Sequence, residues 1–116
     1  MEDCLFCKIV NGEMDTDFVY EDDKVVAFKD VNPQAPVHLL IVPKNHISTL
    51  TDLEDEDYSL VGHVYEVANK LAAENDIADD GFRIVSNCRE KGGQTVFHIH
   101  FHLLGGEIYS GPQVNL

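Results

Sequence analysis

The chain has 116 residues, 44% apolar and 25% charged, which suits one globular domain with a core but leaves no length for two. Acidic residues outnumber basic ones, 21 to 8, for a formal net charge of −13; such a surface repels nucleic-acid phosphates, although backbone N–H groups and histidines can still hold one small phosphate. No apolar run approaches the roughly 18 residues of a membrane span, and the acidic start Met1-Glu2-Asp3-Cys4 is unlike a signal peptide, so a cytoplasmic protein with neither membrane nor nucleic-acid partners is expected.

In chain order, residues 4–10 (Cys-Leu-Phe-Cys-Lys-Ile-Val) predict two short helical turns, stopped near Asn11-Gly12. Residues 17–21 and 24–29 predict a hairpin around Asp22-Asp23. Asn32-Pro33-Gln34-Ala35-Pro36 is a loop, because its two prolines remove donors and fix φ. Residues 37–43 are almost continuously apolar, as in a central strand. Thr51-Asp52-Leu53-Glu54 fits a capping box, and the acids at 52 and 54–57 suit a helix N-terminus. Apolar residues then recur at 60, 61, 64, 67, 68, 71 and 72, predicting a helix that ends near Asn75. Asp79-Asp80-Gly81 is a turn, 82–86 a strand, 87–94 a polar loop, and 95–104 the last strand. Together these predict an α+β domain over 1–116, with a mostly antiparallel five-stranded sheet, one long helix and a short N-terminal helix.

The last strand carries Phe97-His98-Ile99-His100-Phe101-His102-Leu103-Leu104. Strand alternation puts His98, His100 and His102 on one face, with Cα atoms roughly 6–7 Å apart. Phe97, Ile99, Phe101 and Leu103 are expected in the core behind them. His38 joins the row if its strand lies close by. Imidazoles need polar partners, so three on one face point to chemistry rather than packing. They could hold a metal, or bind and attack a phosphate. Gly92-Gly93-Gln94-Thr95 favours phosphate, since it offers glycine backbone, an amide and a hydroxyl at the entrance to the row.

His98-Ile99-His100-Phe101-His102-Leu103-Leu104 resembles the signature of the histidine triad (HIT) family. The resemblance spans most of the chain, through Tyr20-Glu21-Asp22-Asp23, Ala27-Phe28-Lys29-Asp30, Pro33-Gln34-Ala35-Pro36-Val37-His38, Val42-Pro43-Lys44-Asn45-His46-Ile47 and Gly92-Gly93-Gln94-Thr95-Val96. It looks most like the nucleoside phosphoramidase branch. The resemblance implies a homodimer that binds a purine nucleoside monophosphate or its phosphoramidate. His100 would attack the α-phosphorus and form a nucleotidyl-histidine intermediate. His102 would bind the phosphate with Asn87, Gln94, Thr95 and the backbone near Gly93 and Val96. His38 would orient the row, and Asp30 would accept the ribose hydroxyls. Leu5, Phe6, Ile9, Phe28, Val31 and Leu40 would line the base slot.

The three cysteines, an odd number, do not predict a disulfide framework. Cys88 reads as a small buried side chain. The Cys4-x-x-Cys7 pair could be a redox couple, packing, or half of a zinc site. The resemblance completes the last option with His46 and His98, making His98 structural. Thr95 stands where relatives often carry serine, and the tail Glu107-Ile108-Tyr109-Ser110-Gly111-Pro112 lacks the tryptophan of many relatives. Three other readings stay open: a dinucleoside polyphosphate hydrolase, a nucleotide-binding regulatory module with weak hydrolysis, and a catalytic metal on all three triad histidines. His63, on the long helix, is given a surface or interface place and no role.

Overall fold

The computed structural model describes residues 4–106; expectations about the tail, 107–116, lie outside them. Side-chain alternation builds the architecture. Strand β3 (Val37–Pro43) sends Leu39 and Ile41 into one core with Val25 and Ala27 of β2 (Val25–Lys29). Its Leu40 and Val42 enter a second core with Val26 and Phe28 of β2. The unbroken apolar run at 37–43 is therefore a strand covered on both faces. Helix α2 (Tyr58–Glu74) covers the first face with Val64, Val67, Ala68, Leu71 and Ala72. The six-residue helix α1 (Leu5–Val10) covers the second with Phe6 and Ile9. Fully burying each Leu, Ile or Phe contributes about 1.5–3 kcal/mol.

Strands β1 (Phe18–Glu21), β4 (Phe82–Val85) and β5 (Phe101–Gly105) complete a sheet of order β1-β2-β3-β5-β4, with every pairing antiparallel. The expected five strands, long helix and short N-terminal helix are all present. Register pairs Leu40 with His102 and His38 with Leu104. His38 is thus a diagonal neighbour of His102 on the α1 face.

Four local expectations are corrected. The last strand starts at Phe101 rather than at residue 95. Upstream, ring nitrogens take the carbonyls that would extend the ladder: His98 Nε2 lies 2.7 Å from the Pro43 oxygen, and His100 Nδ1 lies 2.8 Å from the His98 oxygen. Phe97 is not in the core; it is 42% exposed, whereas Ile99, Phe101 and Leu103 are buried as expected. The capping box sits one turn later than expected. Glu54 and Asp57 form it reciprocally, and the Glu54 N–H donates to Asp57 Oδ2 at 2.9 Å. Thr51 belongs instead to a short turn, with its hydroxyl 3.0 Å from both Thr49 Oγ1 and Arg89 Nε. Cys88 is half-buried rather than buried.

The β1–β2 turn is fastened to α2. Asp22 Oδ1 accepts the backbone N–H groups of Lys24 and Val25 at 2.8 and 2.9 Å. Its Oδ2 accepts the Tyr20 hydroxyl at 2.8 Å and His63 Nε2 at 2.7 Å. His63 has a definite partner that its sequence context does not reveal.

Candidate active site

The sheet brings the four expected histidines to the α1 face and divides them into two groups. His38 of β3 and His102 of β5 meet Asp30, which follows β2, and His100 lies beside them; the rings of His38 and His100 each lie 5.2 Å from that of His102. His98 lies deeper, fully buried, with His46, Cys4 and Cys7. Phe6 stands between the groups, edge-on to His98 at 6.0 Å and to His100 at 4.9 Å.

A neutral imidazole carries one N–H and one lone pair, and a partner of fixed sense decides which nitrogen has which. A carbonyl only accepts, so His100 donates from Nδ1 to the His98 oxygen and keeps its lone pair on Nε2. Burial lowers the pKa of this ring below the ordinary histidine value. The arrangement is that of a neutral nucleophile. His38 Nδ1 accepts the Gln34 N–H at 3.1 Å, so its proton is on Nε2. From there it donates to His102 Nδ1 at 2.9 Å, with Asp30 Oδ2 3.3 Å away. His102 therefore carries its own proton on Nε2, a donor for a ligand. Burial, followed by the neighbouring His100 and His38, pushes its pKa down to about 4.

The same reasoning tests two clusters whose donor atoms lie within 4.8 Å of one another: Cys4, Cys7, His46, His98 and Asp30, His38, His102. In the second, the Gln34 N–H occupies the lone pair of His38 and leaves a protonated Nε2 facing His102, which makes a proton relay and opposes a cation there. In the first, His98 donates from Nε2 to Pro43 and turns a free Nδ1 to Cys4 Sγ at 3.3 Å and Cys7 Sγ at 3.5 Å. His46 Nδ1 lies 3.3 Å from Cys7 Sγ, with Nε2 directed at Ser48 Oγ. The lone pair of His98 and the Nδ1 of His46 face two thiols, a Cys₂His₂ set able to hold a metal ion. Burial, with Cys4 beside it, pushes the Cys7 thiol up to about 11; a cation that binds there displaces those protons.

The other expected residues are distributed as follows. Phe6, Ile9, Phe28 and Leu40 are buried in the second core, and Phe6 also lies edge-on to His98 and His100. Leu5 and Val31 are exposed, 43% and 91%. Asp30 accepts the Asn32 N–H on Oδ1 at 2.8 Å, which leaves Oδ2 beside His38. Asn87 donates from Nδ2 to the Gly93 oxygen at 3.5 Å, and Gly93 has φ +89°. Thr95 is exposed and Val96 half-buried. Gln94 is buried, and its amide is wholly engaged within the protein. The sequence reading missed the partners that set the tautomers, which are the Pro43 and His98 carbonyls and the Gln34 N–H. They are backbone groups, and residue identity carries no trace of them.

Comparisons with known proteins agree with this geometry. The family model described as "Scavenger mRNA decapping enzyme C-term binding" matches residues 3–113. The Escherichia coli K12 protein named purine nucleoside phosphoramidase is 47% identical over 105 residues, covering 90% of this chain and 88% of that protein. A crystal structure titled as a HIT family hydrolase from Legionella pneumophila superposes with a TM-score of 0.91 at 47% identity, covering 95% of this chain and 98% of that one. A histidine triad protein from Clostridium difficile gives 0.93 at 46% identity, covering 97% and 98%. With the motif, the fold and these relatives in agreement, the chain belongs to the histidine triad family.

Proposed function

We propose that the protein hydrolyses purine nucleoside phosphoramidates at the α-phosphate through a nucleotidyl-His100 intermediate. The carrying observation is the 2.8 Å contact from His100 Nδ1 to the His98 carbonyl, which leaves Nε2 free on a buried, neutral ring. In the first step His100 Nε2 forms a bond to phosphorus, the P–N bond breaks, and the departing amine takes up a proton from solvent, which the attacking water gives back in the second step. Positive charge then grows on the His100 ring, and the His98 oxygen is placed to stabilise it. His102 Nε2–H meets the negative charge on the phosphoryl oxygens, its tautomer held by His38. Water next attacks phosphorus, the N–P bond breaks, and the monophosphate leaves with His100 restored. Asp30 receives the ribose hydroxyls, and Phe6, Ile9, Phe28 and Leu40, with the exposed Leu5 and Val31, bound the base slot. Asn87, Thr95 and the backbone near Gly93 and Val96 face the phosphate.

In the same reading Cys4, Cys7, His46 and His98 hold zinc. Its contribution would be structural, since all four ligands would come from the protein and tie α1 to the sheet. A cytoplasmic homodimer completes the proposal, on the strength of the family resemblance.

The test is AMP release from adenosine 5′-phosphoramidate by metal-loaded protein. Wild type should turn over, and His100→Ala should lose roughly 10³-fold or more in kcat. No release by folded wild type would overturn the phosphoramidase reading and turn attention to dinucleoside polyphosphates. Equal release by both proteins would remove His100 from the chemistry.

A further inference from the structure

The loop that follows β4 contains a backbone conformation that its sequence does not favour. Arg89 has φ +63° and ψ 177°, a region that glycine occupies freely and side-chain-bearing residues rarely do. Such a conformation persists only where its surroundings enforce it, and here the enforcing group is Gln94. Its Oε1 accepts the Arg89 N–H at 2.7 Å, and its own N–H donates to the Arg89 carbonyl at 3.0 Å. Both groups of Arg89 that a wrong φ would misdirect are thus gripped by one residue. Gln94 is in turn anchored. Its Nε2 donates to the Ser48 oxygen at 2.7 Å and to the Val96 oxygen at 3.0 Å, and the residue is only 4% exposed. The Arg89 side chain runs the same way, with Nε on Thr51 Oγ1 at 3.0 Å and a guanidinium nitrogen 3.7 Å from Asp52 Oδ1.

A primary amide has two donor hydrogens, and both are used; its oxygen is used as well. No donor of the Gln94 side chain is left for a phosphate. The segment between Asn87 and Val96 nevertheless holds the backbone and hydroxyl groups assigned above to the phosphate, and this carboxamide ties Arg89 within it to Ser48 and Val96. We propose that Gln94 is a positioning residue: its buried amide holds Arg89 in a glycine-type conformation, and so fixes the phosphate-facing loop without touching the ligand. For its ligand this rests on the proposed function; for the clamp itself it does not.

Two measurements on the metal-loaded full chain test it. The first is residue-resolved amide exchange without ligand. The Arg89 amide should be protected in wild type and exchange at least about tenfold faster in Gln94→Ala, with core amides such as Val64 unchanged. Equal exchange in the two proteins would overturn the clamp. The second is a double-mutant cycle on AMP affinity. Gln94→Ala should weaken AMP at least about tenfold, but less than about threefold in the Arg89→Gly background, where the conformation no longer needs enforcing. The same loss in both backgrounds would mean that Gln94 touches the ligand, and would overturn the proposal. If Gln94→Ala does not fold, Gln94→Met keeps the bulk of the side chain without its amide, and the Arg89 amide should still exchange at least about tenfold faster than in wild type; unchanged protection would count against the clamp. If wild type binds no AMP, the proposed function fails, and the exchange measurement still decides the clamp.

Discussion

At the scale of single residues, the site is organised by which nitrogen of each imidazole holds the proton. His38 sets His102 through one contact of 2.9 Å, and Gln34 sets His38 through its backbone N–H. Removing the His38 ring leaves His102 Nδ1 without its donor, so nothing holds the tautomer of His102 or the aim of its Nε2–H. His38→Ala should therefore lower kcat by about 10²-fold, within the range of a misplaced acid–base group, while AMP affinity changes less. Steady-state kinetics beside direct AMP titration check this; a loss confined to affinity would contradict the relay. The histidines themselves are legible in the sequence, because period-two spacing puts 98, 100 and 102 on one face. Their division into a group beside the cysteines and a group beside Asp30 is not. It depends on the Pro43 and His98 carbonyls, which any residue at those positions would present.

Among the elements, the hairpin and α2 are joined by charge as well as by packing. Burial opposes ionisation of Asp22, but hydrogen bonds from Lys24, Val25, Tyr20 and His63 outweigh it and hold its carboxyl below the usual range. The hydrogen bond to Asp22 raises His63 above the usual histidine value, against burial. Asp22 therefore contributes stability that is present above about pH 4 and lost as pH falls through its lowered folded value. His63 contributes stability that is full below about pH 6.5 and lost as pH rises through its raised folded value. In urea titrations the gap between wild type and His63→Ala should be widest near pH 5–6 and narrow as pH rises through the raised value of His63. Asp22→Asn should cost about 1–3 kcal/mol near neutral pH, from weakened hydrogen bonds to a carboxylate. Element types and their order were readable from hydrophobic period. The ends were not: His98 and His100 continue the strand alternation in sequence, yet their side chains consume the acceptors a ladder would use. The clamp through His63 was also hidden, since 41 residues separate it from Asp22.

Across the whole molecule, two features set expectations for solution behaviour. If zinc fills the Cys₂His₂ set, it links α1, the segment after β3 and the segment before β5. Chelation should then lower the melting temperature by several degrees or more, and Cys7→Ser should reproduce the loss without added chelator. Calorimetry with metal analysis checks both; an unchanged melting temperature on complete removal would exclude a structural ion. The second feature is the net charge of −13. A nucleotide approaches against a like-signed field, so its association rate should rise with added salt, as measured by stopped flow. Composition made this second expectation readable before any fold was known. The first depended on four residues spread from position 4 to 98 meeting around one point.

His98 performs its two tasks with different atoms. The imidazole faces the thiols, and the carbonyl aims His100. Only histidine supplies the first, whereas every amino acid supplies the second. Over evolutionary time, a descendant that lost Cys4 and Cys7 is free to let position 98 drift and still keep the His100 ring aimed. The opening histidine of the motif would then record the history of the cysteine pair, and the middle one the history of the cleft.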